Sequence, residues 1–66
     1  MITEEKMIGY LQSLMNAFKK DEKQFGFNDM ETIRKFDAMI ACKEMVESLI
    51  QKPVNLGQDG KVTVGF

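Results

Sequence analysis

The stretch from Asn28 to Lys52, NDMETIRKFDAMIACKEMVESLIQK, constrains the fold more than any other part of this sequence. Neither Gly nor Pro interrupts it, and its apolar residues recur at helical spacing. Placed at 100° intervals, these residues cover an arc of roughly 240°, whereas little over 100° suffices for a helix packed on one core. Lys43 and Glu47 lie inside this arc and divide it. We therefore predict a helix with two apolar flanks that face two different neighbours.

Both ends of this helix carry recognisable signals. Asn28 followed by Glu31 has the spacing of a capping box, in which each side chain bonds a free backbone N–H of the first turn. At the other end, Pro53 disfavours a helical conformation at the residue before it. Together these signals predict a helix over about 29–52.

An earlier amphipathic pattern follows Thr3, which is a plausible N-cap. It predicts a first helix over about 4–23, connected to the second by a loop over 24–28 that contains Gly26. Because the connection is so short, the two helices should be antiparallel neighbours.

The pattern changes after Pro53, where two short segments alternate apolar and polar residues around the turn sequence GQDG. This arrangement predicts a β-hairpin over about 54–66. Its inward-facing residues would be Val54, Leu56, Val62, Val64 and Phe66. A lone two-stranded hairpin is marginally stable, so it should dock on the helices, pair with another subunit, or fray as a tail.

The length of 66 residues limits the chain to a single small domain, 1–66, with a marginal core. Cys42 is the only cysteine, so no intrachain disulfide can form, and a lone thiol without histidine disfavours a zinc site. Self-association is the remaining common source of stability. We predict a mainly α fold, an antiparallel two-helix hairpin with a short C-terminal β-hairpin, completed as a four-helix-bundle-like dimer or higher oligomer.

The second helix is expected to supply the subunit contact. We assign Met39, Cys42, Val46 and Leu49 to that contact and turn Phe36 and Ile40 towards the first helix, although the reverse assignment is nearly as well supported. The predicted oligomer interface is therefore drawn from Phe36, Met39, Ile40, Cys42, Val46 and Leu49.

Composition argues against several classes of function. The net charge is −1, without the basic surplus of a nucleic-acid-binding protein. No apolar run approaches the roughly 18 residues of a membrane span, and no secretion signal is apparent, so we expect a cytoplasmic protein. The chain has no histidine to activate Cys42 and little cleft to perturb a carboxylate, so we expect neither enzymatic activity nor a cofactor.

Two short segments are candidate contacts for a ligand or partner. Phe25 and Phe27 flank Gly26; they would close the end of the helical hairpin, or else remain exposed to grip a ligand. Gln58, Asp59 and Lys61 belong to GQDGK, which faintly resembles a phosphate loop but lacks the Walker spacing.

Three functions are compatible with this pattern. The favoured one is an oligomeric binding protein, of adaptor or inhibitor type, that acts stoichiometrically on a macromolecular partner. The six methionines are compatible with it, because methionine adapts to varied partner surfaces, but filling of an irregular core explains them equally well. The alternatives are an oligomeric small-molecule binder that sequesters an anionic ligand such as a nucleotide, and a structural assembly subunit.

Overall fold

The computed structural model describes residues 2–65 and is mainly helical. Helix α1 spans Glu4–Phe25 and helix α2 spans Met30–Ile50. Strands β1, Val54–Leu56, and β2, Val62–Val64, follow and form one antiparallel pair. The order and type of these elements confirm the predicted helical hairpin with a short C-terminal β-hairpin.

Helix α1 begins at the predicted cap. The Thr3 hydroxyl accepts a hydrogen bond from the backbone N–H of Lys6 at 3.2 Å. The helix continues past the predicted end near 23, because Gly26 is the first residue whose backbone leaves the helical region, with φ at 87°. The Gly26 N–H donates to the Glu22 carbonyl at 2.9 Å, which closes the last turn.

Helix α2 begins one residue later than the capping box predicted. Asp29, not Asn28, is the N-cap, and its carboxylate accepts the Glu31 N–H at 3.0 Å. Asn28 is excluded from this role because it lies inside the connecting turn, where the Asp29 N–H donates to the Gly26 carbonyl at 3.3 Å. The helix ends at Ile50, short of the predicted 52, because Gln51 adopts a left-handed conformation with φ at 58°.

The core lies between the two helices and the hairpin. Its buried members are Leu11, Met15, Phe18, Met39, Val46 and Val54. At the loop end, Phe27 packs edge-on against Phe18 and Phe36, with ring centroids 6.0 Å and 5.4 Å away. Phe27 therefore packs at the end of the helical hairpin while it stays 48% exposed, and Phe25 is 54% exposed beside it, so binding of a partner by these two rings stays a prediction.

The hairpin has the predicted apolar pairing. Val54 lies opposite Val64, and Leu56 lies opposite Val62. The Gly57 N–H donates to the Lys61 carbonyl and the Gly60 N–H donates to the Gly57 carbonyl, which closes the turn. Phe66, the remaining predicted member of this apolar face, lies outside the described residues.

Two polar side chains hold the hairpin against its own helices. Gln12 on α1 accepts the Val62 N–H at 2.8 Å and donates to the Gly60 carbonyl at 2.7 Å. Glu47 on α2 accepts the Val54 N–H at 2.7 Å and pairs with Lys43 at 3.0 Å. In this register the Val54 and Val62 N–H groups point away from the partner strand. The helices thus satisfy outward-facing donors on both edges of the sheet, so the segment is docked within the subunit.

The contribution of Gln12 can be measured by amide exchange. Gln12→Ala removes both hydrogen bonds to β2 and its turn, each contributing about 1 kcal/mol, so we expect exchange at Val62 to accelerate about tenfold or more. Gln24→Ala is the matched control, because Gln24 is exposed on the same helix. Equal effects of the two substitutions on Val62 would contradict the docking role of Gln12.

Glu47 makes hairpin docking sensitive to acid. The hydrogen bond from the Val54 N–H, followed by that from Lys43, holds the pKa of Glu47 below its ordinary value. The depressed pKa contributes stability above the unfolded-state pKa, and this contribution is lost as the pH falls through the folded-state pKa. We expect the free energies of unfolding of wild type and Glu47→Gln to converge from neutral pH to about pH 3. A constant difference over that range would show that the Glu47 charge is not responsible.

Candidate interaction surface

Helix α2 presents its apolar residues in different directions. Met39 and Val46 are 1% and 4% exposed, within the core. Phe36 and Ile40 are half-buried and line a groove bounded by β1. The remaining flank of α2 is open, and it carries Ala38, Ala41, Met45 and Leu49, all exposed.

This open flank and the adjacent side of α1 form a groove of about 780 Å³. Tyr10, Met45 and Leu49 are 56%, 65% and 65% exposed around it. Lys6 is its one charged residue among those described. The full lining is Ile2, Lys6, Met7, Tyr10, Leu14, Ala38, Ala41, Cys42, Met45, Val46 and Leu49.

Two ion pairs connect the helices at either end of this region. Lys52 contacts Glu4 at 3.1 Å where α1 begins, and Lys35 contacts Asp21 at 2.6 Å nearer the connecting loop. Asp21 is only 8% exposed, so its charge is well shielded and closely paired. The Lys35–Asp21 pair, with its buried carboxylate, links the two helices, whereas the exposed Lys52–Glu4 pair contributes little to stability.

A second groove, of about 770 Å³, lies on the side of the hairpin. Its lining combines the cluster of Phe18, Phe27 and Phe36, whose rings pack edge-on or tilted, with four charged residues, Lys19, Glu22, Lys43 and Glu47. Lys19 pairs with Glu22 at 3.5 Å, and Lys43 pairs with Glu47 at 3.0 Å. Because these charges pair with one another, this groove does not present an excess of either sign.

The structure separates the six residues of the predicted oligomer interface. Met39 and Val46 belong to the subunit's own core, and Phe36 and Ile40 lie on the hairpin side. Only Cys42, Leu49 and the buried Val46 line the open groove. Contact of this groove with a second subunit stays a prediction. Its exposed residues are Ile2, Lys6, Tyr10, Ala38, Ala41, Met45 and Leu49.

The predicted contacts at the GQDGK turn are exposed, but the turn uses its own donors. Gln58, Asp59 and Lys61 all face solvent. The Asp59 carboxylate accepts the Lys61 N–H at 3.1 Å, and the N–H groups of Gly57 and Gly60 are bonded within the turn. These amides are therefore not free to surround an anion.

Cys42 is the one thiol of this sequence. Cys42 is half-buried, and burial raises the pKa of its thiol, which disfavours the nucleophilic thiolate. Within residues 2–65, no three His, Cys, Asp or Glu side chains cluster as metal ligands. In the same part of the chain, neither helix has the length and apolar character needed to cross a membrane.

Comparison with known proteins gives no match for this chain, whether with family models, curated proteins or solved structures. Its function is therefore argued from its own residues.

A pair of neighbouring substitutions distinguishes the core flank of α2 from the open flank. Val46→Asp places an unpaired charge in the core, so we expect loss of the folded state. Removing one partner of a buried ion pair, which likewise leaves a buried charge unpaired, costs about 3–5 kcal/mol. Met45→Asp places the same charge at a position 65% exposed, so the subunit should retain its helicity. Circular dichroism and thermal unfolding measure both effects. Native helicity and a cooperative melt for Val46→Asp would refute the assignment.

Proposed function

We propose that this protein is a small, non-enzymatic binding protein that forms an oligomer and acts by stoichiometric contact with a macromolecular partner, as an adaptor or inhibitor. The observation that carries the oligomer part of the proposal is the open apolar groove between α1 and α2. Contiguous exposed apolar surface of this kind is typical of interaction sites, since leaving it in water is unfavourable.

The lining of the groove supports binding rather than catalysis. Acid–base chemistry needs titratable groups placed against a substrate, and Lys6 is the one charged residue described there. The second groove, on the side of the hairpin, contains two Lys–Glu pairs, and the Glu47 carboxylate also accepts the Val54 N–H of β1. These charges therefore already serve the fold.

The loop end offers a second apolar surface, made of residues that do not line the open groove. Phe25, Phe27 and Met30 are 54%, 48% and 62% exposed around the connecting turn. Aromatic side chains often anchor protein contacts because they bury a large area with few rotatable bonds. We assign the macromolecular partner to this surface and the oligomer contact to the groove.

The GQDGK turn gives less support to an anionic small-molecule ligand, because three of its amides are bonded internally. We also propose a cytoplasmic location. Its support is the free Cys42 thiol, which suits a reducing compartment.

Capture from an extract of the source cells tests the proposal, using tagged protein and quantitative mass spectrometry. We expect wild type to retain one protein at a fixed, near-integral molar ratio. Phe25→Ser should abolish that capture without changing the oligomer. Gln24→Ser is the control, because Gln24 is exposed beside Phe25 on α1 and lines neither groove.

Two results would contradict this proposal. One is that Phe25→Ser still captures the partner, which would show that the partner does not bind at the loop end. The other is purified protein whose ultraviolet absorbance exceeds that of its one Tyr and five Phe, combined with no captured macromolecule. That combination would favour sequestration of a small ligand.

A further inference from the structure

We infer that a second copy of this chain occupies the open groove, docked face to face about a twofold axis. The inference rests on the oligomer part of the proposed function and specifies its surface, copy number and symmetry.

The chemistry of the groove favours a permanent partner. Its described lining is apolar apart from Lys6 and the Tyr10 hydroxyl. Homodimer interfaces are more apolar than contacts that form and dissociate, because the separated subunits need not persist in water. A subunit with a marginal core benefits from such permanent cover.

The open flank of α2 is complementary in shape to a reversed copy of itself. Small residues, Ala38 and Ala41, occupy the half of the flank nearer the connecting loop, and large ones, Met45 and Leu49, occupy the other half. A twofold axis that crosses α2 between Cys42 and Met45 would place Ala38 opposite the partner's Leu49 and Ala41 opposite the partner's Met45. Each protruding side chain then meets a small one.

A contact that extends from the groove over the whole face has the area that a stable dimer needs. The Cα atoms extend over 34 × 20 × 15 Å, so a face parallel to the long axis measures between 34 × 15 Å and 34 × 20 Å, about 500–700 Å² per subunit. Two such faces would bury at most roughly 1,000–1,400 Å², against the roughly 1,000 Å² expected of a specific interface. An isologous contact uses the same patch on both subunits and therefore closes at two copies.

Light scattering with two groove variants tests the inference. Wild type should have twice the subunit mass of 7.6 kDa at micromolar concentration. Leu49→Asp and Met45→Glu should each weaken the dimer at least about 100-fold, because they bury an unpaired charge at the contact. Circular dichroism should show retained helicity, since both positions are 65% exposed in the subunit. Asn16→Asp is the control, because it adds the same negative charge with little change of shape at an exposed site on α1, and it should leave the mass unchanged.

Thiol cross-linking tests the position of the twofold axis. Ala41→Cys in a Cys42→Ser background should give a covalent dimer with a short bismaleimide, because residue 41 lies close to the axis and is exposed in the subunit. Asn16→Cys in the same background should not.

The outcomes separate this inference from the proposed function. A wild-type dimer that persists in both groove variants, without cross-linking through position 41, would overturn the inference and leave an oligomer built on another surface. A monomeric wild type would overturn both the inference and the oligomer. Native mass spectrometry that shows one subunit with a bound lipid, or with a different protein, would identify another occupant and also overturn the inference.

Discussion

Attachment of the hairpin to the helices is the interaction on which the rest of the fold depends. Val54 belongs to the core with residues of both helices, so the hydrophobic cluster is incomplete until β1 is in place. Glu47 and Gln12 make that placement possible by accepting the Val54 and Val62 N–H groups that the two-stranded sheet leaves unpaired. A strand without these acceptors would bring unsatisfied donors towards the apolar core, which is costly. Gln12 and Glu47 therefore allow the hairpin to complete the hydrophobic core.

The same arrangement produces the open groove. After α2 the chain supplies one hairpin, and that hairpin can cover one face of the helical pair. The ion pairs of Glu4 with Lys52 and of Asp21 with Lys35 add no apolar cover to the opposite face. Tyr10, Met45 and Leu49 stay exposed there because no further element of the described chain reaches them. The open face is thus a consequence of where the hairpin docks.

Periodicity and turn chemistry were sufficient to predict the two helices, their short connection and the pairing of β1 with β2. They were insufficient where two local solutions compete. Asn28 and Asp29 are both good N-caps, and the turn at Gly26 decides between them. Periodicity also placed Met39 and Val46 on an apolar flank without showing that this flank faces the subunit's own core. Gln12 has the spacing of a solvated residue on the polar face of α1, and no local signal marks it as a partner for a strand far along the chain.

The charges that divide the apolar arc of α2 were the most informative local signal, because they distinguish its two flanks. Lys43 and Glu47 form an ion pair that leaves one Glu47 oxygen available, and the Val54 N–H bonds that oxygen. A flank with a spare acceptor suits a backbone strand, since a strand brings unpaired N–H groups. The flank from Ala38 to Leu49 offers no such acceptor, so a strand docked there would lose hydrogen bonds to water without replacement. A helical surface, whose backbone groups are bonded internally, loses none. The distribution of polar groups around α2 therefore explains why the hairpin docks where it does, and it favours a helical face as the cover for the groove.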